Sequence, residues 1–195
     1  GLQLFGHQVD ASQRWLLFGF GKIGSGVGIR LKAAGAQVEV VEARSRCDRL
    51  QQTPVGEFPF IDMTDRDAVI AAVQRATHIV TATSVAGVIS RSYPVEPFLQ
   101  GQLLVNIGAE DEYGDKFPES AVLNRKVAVN FALDEPTHLR YIETTFALQN
   151  AGLEWILHHP EARGVITPSE EMQEQLLTIV RREGAIADEL RLIGL

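Results

Sequence analysis

The chain has 195 residues, of which 45% are hydrophobic and 22% are charged, and its formal net charge is −7. This composition is typical of a globular protein and excludes disordered and collagen-like chains. No apolar run approaches the ~20 residues of a membrane span, and the negative charge argues against general affinity for nucleic acids or membrane surfaces. Cys47 is the single cysteine, so the chain has no pair for an internal disulfide or a structural zinc site. We therefore expect a reducing, cytoplasmic environment.

Residues 15–42 predict a strand, a glycine-rich turn, a helix and a second strand. An apolar run at 15–20 predicts the first strand, and apolar residues at helical spacing predict a helix over 23–34. Gly35 ends this helix, and the alternating residues 37–42 predict the next strand. Two strands joined by a helix within ~30 residues form a parallel pair with a right-handed crossover.

The alternation of strands and helices continues to residue 130. We predict, in chain order, a short helix at 44–52, a strand at 58–61, a helix at 64–75, a strand at 78–83, a short helix or turn at 94–99, and strands at 103–107 and 126–130. Thr64 is the expected N-cap of the helix at 64–75, with Asp67 completing a weak capping box. The pattern predicts a doubly wound, mostly parallel α/β sheet, the Rossmann arrangement, in residues 1–135.

After residue 136 the pattern is helical. We predict helices at 137–158, at 168–182 with Thr167 or Ser169 as the cap, and at 184–193. The apolar positions of the first of these helices predict a core or dimer face, so we expect a homo-oligomer. Residues 136–195 are predicted to be a C-terminal helical extension of the same domain.

The sequence Gly19-x-Gly21-x-x-Gly24 lies between the first predicted strand and helix. Gly19 permits the tight turn, Gly21 lets backbone approach a pyrophosphate, and Gly24 lets the helix pack closely on the strand. Lys22 and Ile23 open the helix, whose free N–H groups and dipole favour phosphate. The pattern in this context predicts a dinucleotide site.

Glu42 supports this interpretation independently, because it ends the second predicted strand 18 residues after Gly24. A carboxylate at that point accepts hydrogen bonds from an adenosine ribose and repels a 2′-phosphate, which favours NAD over NADP. Ala43 follows it in the predicted site. Arg44 and Arg46 leave the choice open, since a nearby arginine can hold a 2′-phosphate.

Polar residues end three later strands of the prediction. In a doubly wound sheet, ligands lie beyond the carboxyl ends of the strands, and a side-chain amide suits a nicotinamide carboxamide because it both donates and accepts. The alternative for each residue is a hydrogen bond to its own loop. The cofactor-binding candidates here are Thr83, Ser84, Asn106, Ile107, Gly108 and Asn130.

At these motifs the chain resembles the NAD-binding domain of the S-adenosylhomocysteine hydrolases. Residues 18–26 are similar to the G-Y-G-x-V-G-K-G loop of that family. Further segments are similar in the same order: 40–42 to its ribose-binding strand end, 81–84 to T-T-T-G, 105–108 to C-N-I-G, 129–131 to L-V-N-L, 146–160 to F-T-N-Q…E-L-W…H-P, and 192–195 to Y-L-G-M. The resemblance implies the fold and a bound NAD, which that family uses to oxidise a ribose 3′-hydroxyl and then return the hydride.

The chain also departs from that family. Ala109 stands where the family has a histidine, and Cys47 replaces an asparagine after the ribose-binding acid. A second histidine of the family aligns with Glu135 if a two-residue gap is allowed, and with Thr137 without the gap. The family's substrate domain and its basic C-terminal tail have no counterpart in this sequence. The resemblance therefore does not carry the hydrolase reaction to this chain. An adenosine-type substrate would require a missing domain, and no catalytic residue is assigned.

Two other functions remain open. One is an NAD-dependent 2-hydroxyacid-type dehydrogenase domain, an oxidoreductase that would need an arginine and a His–acid pair in the crevice. The other is a non-enzymatic nucleotide-sensing domain like those of potassium-transport regulators, which the strand-end residues Asn106 and Asn130 suit less well. We expect no metal site at Glu154, His158 and His159, and a solvated charge run at 110–112.

Overall fold

The computed structural model describes residues 2–46, 53, 56–134 and 138–192. The chain divides into two compact units, Gly1–Pro136 and Thr137–Leu195. The first unit contains the sheet and the second contains helices.

Five parallel strands form one sheet in the order β3-β2-β1-β4-β5. They are β1 (Arg14–Phe18), β2 (Gln37–Glu42), β3 (Phe60–Asp62), β4 (His78–Thr81) and β5 (Leu103–Asn106). The order reverses direction at β1, so that β2 and β4 lie on its two sides, as in a doubly wound sheet. The prediction of a Rossmann α/β fold is confirmed.

The central strand is buried on both faces, as its apolar run predicts. Residues 15–18 are all buried, and Leu17 lies between Val40 of β2 and Val80 of β4. Parallel sheets covered by helices have such continuous apolar strands. One aromatic cluster continues this core beside β4 and β5, where the rings of Phe18 and Phe98 lie 6.0 Å apart.

Among its described residues, this unit has the α-helices α1 (Lys22–Ala33), α2 (Arg66–Arg75) and α3 (Val88–Ser92). The cap predicted for α2 was wrong. Asp65, not Thr64, is the N-cap, and its carboxylate accepts from the N–H of Ala68. The Thr64 hydroxyl instead donates to Asp62, because the chain leaves β3 in an Asx-type turn that occupies this side chain.

Of the short elements, one agrees with its prediction, one is described only in part, and one was not predicted. The segment at 94–99 contains a 3-10 helix, Glu96–Leu99, and α3 precedes it without having been predicted. Residues 44–46 of the helix predicted at 44–52 form a 3-10 turn. Residues 47–52, the rest of that prediction, lie outside the described residues.

The strand predicted at 126–130 was wrong. The chain forms two 3-10 turns there, Leu123–Lys126 and Val129–Ala132. Asn124, Arg125 and Lys126 have φ angles of 53°, 52° and 70°. This left-handed conformation is incompatible with a strand. Of the apolar residues that follow, Ala128 and Val129 are buried, whereas Val127 and Phe131 are exposed.

The second unit contains α4 (Leu139–His158), α5 (Glu170–Glu183) and α6 (Ala187–Leu192). Ser169 caps α5, as one of the two predicted candidates, by accepting from the N–H of Met172. None of the residues of α4 is buried, and Leu157 is 73% exposed. In the part of the chain that the structure describes, no helix has both the length and the apolar character to cross a membrane.

Candidate functional site

A cleft of about 740 Å³ opens at the carboxyl ends of the first unit's strands. Its size is that of a small-molecule or cofactor site. It lies at the point where the strand order reverses, because loops following β1, β2 and β4 all contribute to it. The cleft is lined by Phe18, Gly19, Gly21, Lys22, Ile23, Val41, Glu42, Ala43, Ser45, Arg46, Met63, Ala82, Thr83, Ser84, Val85, Val88, Ile89 and Tyr93.

The three glycines of the first loop have different surroundings. Gly19 has a φ of +91°, and a Cβ there would lie 2.5 Å from the carbonyl oxygen of Ala82. A Cβ on Gly24 would overlap the carbonyl oxygen of Gly19, so α1 packs directly on the turn. A Cβ on Gly21 would meet no protein atom within 4 Å. Packing therefore explains two of the glycines, whereas Gly21 faces open space in the cleft.

The N-terminus of α1 has no side-chain cap. Gly21 is the N-cap, no side chain caps the helix, and its first turn has no acidic residue. By contrast, α2 has a capping Asp65 and α5 begins with Glu170 and Glu171. The partial positive charge of the α1 N-terminus is thus directed at the cleft, which suits a phosphate group.

Glu42 lies at the end of β2 and is only 7% exposed. Its Oε2 accepts from the N–H of Phe20 at 2.7 Å, and its Oε1 accepts from the N–H of Ala43 at 2.7 Å. These bonds hold the carboxylate against the glycine loop, beside the cleft. Each carboxylate oxygen can accept a second hydrogen bond, so the fixed carboxylate retains the capacity to bind hydroxyl groups.

Two arginines follow Glu42, and they have different positions. Arg44 forms an ion pair with Asp62, with Nε and Oδ2 3.1 Å apart. Arg46 lines the cleft. Of these two arginines, Arg46 is the one that lines the cleft.

The other side of the cleft contains Thr83 and Ser84, which follow β4. Their N–H groups donate to the carboxylate of Glu112 at 2.8 and 2.6 Å. Ser84 has a φ of +60°. Glu112 is fully buried, whereas Glu110 is exposed. The predicted solvated charge run was therefore wrong at Glu112, because two backbone donors replace water there.

The amide of Asn106 makes internal hydrogen bonds, which was the alternative left open for each strand-end residue. Its Nδ2 donates to the carbonyl oxygens of Glu110 and Lys126 at 2.8 and 2.6 Å. Its Oδ1 accepts from the hydroxyl of Thr81 and the N–H of Gly108. All of these partners are internal, so the amide ties β5 to its own loop, as strand-end amides often do.

The predicted site residues thus fall into two groups. Those of the glycine loop, the end of β2 and the turn after β4 meet at one cleft, with Gly24 packed beneath it. Asn106, Ile107, Gly108 and Asn130 are not among the residues that line the cleft.

An apolar wall of the cleft was missed by sequence reasoning. Met63 follows β3, while Val88 and Ile89 open the unpredicted helix α3. The Tyr93 hydroxyl donates to the carbonyl oxygen of Met63 at 2.7 Å, and burial raises the pKa of this hydroxyl. The residues come from two separate segments, one after β3 and one after β4, so no local pattern indicates that they share a wall.

Other candidate groups do not form a second site within the described ranges. His158 and His159 each bond through Nδ1 to a backbone oxygen of α4, 2.8 Å away. Among the residues 2–46, 53, 56–134 and 138–192, no group of three or more His, Cys, Asp or Glu side chains is placed to hold a metal ion. Glu135 and Cys47 lie outside the described residues.

No protein-family model matches the sequence, and no curated protein matches it. Several solved structures are similar in part. They include shikimate 5-dehydrogenase from Listeria monocytogenes in complex with shikimate and NAD, with 10% identity, a TM-score of 0.46, and coverage of 55% of this chain and 42% of that one. The dipicolinate synthase A chain from Bacillus subtilis has 12% identity and a TM-score of 0.47, and the match covers 65% of this chain and 40% of that one. D-lactate dehydrogenase with NAD+ from Lactobacillus jensenii has 19% identity and a TM-score of 0.42, and the match covers 62% of this chain and 34% of that one. The chain spans less than half the length of each of these proteins.

Proposed function

We propose that the first unit is an NAD(H)-binding domain. The observation that carries this proposal is the combination, in one cleft, of an uncapped helix N-terminus, an open position at Gly21 and the fixed carboxylate of Glu42. The first two features suit a pyrophosphate and the third suits ribose hydroxyls. Together they match the two polar parts of a dinucleotide.

The strand order separates the two ends of the bound dinucleotide. Because β1 lies between β2 and β4, Glu42 and the turn at Thr83 and Ser84 lie on opposite sides of the glycine loop. The adenosine half then lies on the β2 side, where Val41 and Met63 add apolar surface. The nicotinamide half extends toward the turn after β4.

The carboxylate of Glu42 favours NAD over NADP, because it would repel a 2′-phosphate. Arg44 is paired with Asp62, whereas Arg46 lines the cleft and opposes this preference. When bound, NAD supplies a hydride acceptor. The chain's own residues position that cofactor through its phosphates and ribose.

The kind of protein to which this domain belongs is inferred from the resemblance to S-adenosylhomocysteine hydrolases. On this proposal the domain belongs to a hydrolase-like protein, and an adenosine-type substrate would be held by another domain. A 2-hydroxyacid-type dehydrogenase domain is the alternative. The residues that line the described cleft include no histidine, and the His–acid pair of a 2-hydroxyacid-type dehydrogenase is therefore not among them.

A nucleotide-sensing function is the second alternative, and one argument against it is removed. The amides at the ends of the last strands were the features that suited a sensor less well. The structure uses the Asn106 amide internally, so this residue no longer separates an enzyme from a sensor.

Calorimetric titration of the purified, nucleotide-stripped chain with NAD+, NADH and NADP+ tests the proposal. We expect NAD+ or NADH to bind, NADP+ to bind at least ~10-fold more weakly, and Glu42→Ala to lose most of the affinity. Circular dichroism and thermal melting show whether that variant remains folded. A folded wild-type chain that binds none of the three ligands refutes the proposal.

A further inference from the structure

Glu112 is a fully buried acidic residue in the loop that follows β5, and it does not line the cleft. We propose that Glu112 is a positioning residue, which holds the turn at Thr83 and Ser84 in the conformation that binds the second half of a dinucleotide. This inference rests on the proposed NAD(H)-binding function and extends it to a residue that has no contact with the cofactor.

The contact between Glu112 and the turn is a two-point anchor. Oε2 accepts from the N–H of Thr83 and Oε1 accepts from the N–H of Ser84. Two successive N–H groups that point at one anion form a nest, a backbone shape that requires left-handed residues. Ser84 has such a φ, +60°, which is uncommon for a residue other than glycine. The buried carboxylate therefore stabilises a turn that the chain would otherwise disfavour.

The loop that carries Glu112 is itself braced. A Cβ on Gly108 would collide with the Glu112 carboxylate, so only glycine leaves room for it. The Asn106 amide holds the carbonyl of Glu110 at 2.8 Å. Asp111 accepts from the N–H of Gly114 at 3.0 Å and pairs with Lys126 at 3.1 Å. The carboxylate thus projects from a rigid support.

The same loop also holds the start of α3 through its backbone. The N–H groups of Gly87 and Ile89 donate to the carbonyl oxygens of Asp111 and Glu112 at 2.7 and 3.0 Å. A change of the Glu112 side chain spares these bonds. It should therefore release the turn at Thr83 and Ser84 while leaving α3 in place.

This separation allows a specific test, because Glu42 and the turn lie on opposite sides of the glycine loop. Glu112→Gln keeps the side-chain shape, but its amide places a donor against one of the two N–H groups. We expect NADH to bind at least ~10-fold more weakly to this variant, whereas AMP, which needs only the β2 side, binds within ~2-fold of wild type. Both ligands are titrated by calorimetry.

Tyr113→Phe is the matched control for a loss of stability. The Tyr113 hydroxyl is buried and donates to the carbonyl oxygens of Ile79 and Val105, at 3.1 and 3.3 Å. Its removal disturbs the core next to Glu112 without touching the turn. We expect this variant to melt at a lower temperature and to bind NADH and AMP as wild type does.

The outcomes are distinguishable. If wild type binds no NADH, the proposed function fails and this inference fails with it. If wild type binds NADH, the inference is overturned by a folded Glu112→Gln that binds NADH normally, or by one that loses NADH and AMP equally. If the variant does not fold, the inference is tested by amide hydrogen exchange of the wild-type chain with NADH and with AMP. We expect NADH, but not AMP, to slow exchange at Thr83 and Ser84, and equal effects of the two ligands overturn the inference.

Discussion

Gly21→Ala separates a binding role of the glycine loop from a packing role. The backbone of Gly21 has φ −74° and ψ −159°, which alanine adopts without strain. An added Cβ meets no protein atom within 4 Å. The folded chain therefore has room for this methyl group, and only a ligand in the cleft would meet it.

The expected magnitudes follow from these surroundings. Alanine is a poorer N-cap than glycine, so stability should fall by about 0.5–1 kcal/mol. A methyl group between the backbone and a pyrophosphate would displace the phosphate and lengthen its hydrogen bonds to the α1 N–H groups. Losing one hydrogen bond to a charged group costs about 1.5–3 kcal/mol, which corresponds to about 10- to 100-fold in the dissociation constant.

Two neighbouring glycines provide the controls. A Cβ on Gly26 also meets nothing within 4 Å, and Gly26→Ala within α1 should raise stability by about 0.5–1 kcal/mol without changing NADH affinity. Gly24→Ala would overlap the carbonyl of Gly19 and should destabilise the fold. Thermal melting and NADH titration are measured for all three variants. A stable Gly21→Ala that binds NADH like wild type would refute the placement of a pyrophosphate there.

Four further predictions concern stability and assembly. Asn106→Ala should cost about 2–4 kcal/mol, because it leaves buried carbonyl and N–H groups unpaired; urea unfolding measures this, and a cost below about 1 kcal/mol would contradict the internal role of the amide. Asp65→Ala should cost about 1 kcal/mol of α2 capping while Thr64→Ala costs less, and the reverse order would contradict the observed cap. Burial, followed by the charge of His7, lowers the pKa of His78 below 6.5. The unfolded chain then binds more protons than the folded chain, so stability should be lost as pH falls below about 6.5. His78→Gln should flatten this pH profile, and an unchanged profile would assign the effect to another group. The homo-oligomer remains a prediction: light scattering should show a dimer or larger species that Leu153→Glu dissociates, and a monomeric wild type would refute it.

Local patterns were sufficient for the elements nearest the glycine loop. The apolar run of β1, the spacing of α1 and the alternation of β2 each arise from residues a few positions apart, and β2 has the predicted bounds. The roles of Gly19 and Gly24 were likewise predictable, because a tight strand–helix turn leaves no room for a Cβ at either position. The cap of α2 shows the limit of such rules, since Thr64 and Asp65 are both good caps in sequence.

The placement of the later polar residues depended on the tertiary structure. Asn106 and Glu112 each looked like surface or ligand-facing groups, yet both bond to backbone groups that lie 20 or more residues away, at Lys126 and at Thr83 and Ser84. The sequence alone determined the parallel sheet and the glycine loop, because periodicity and steric limits act between near neighbours. Only the tertiary structure decided which polar groups face the cleft, because the partner of a buried donor or acceptor is whichever backbone group the fold brings within hydrogen-bond distance.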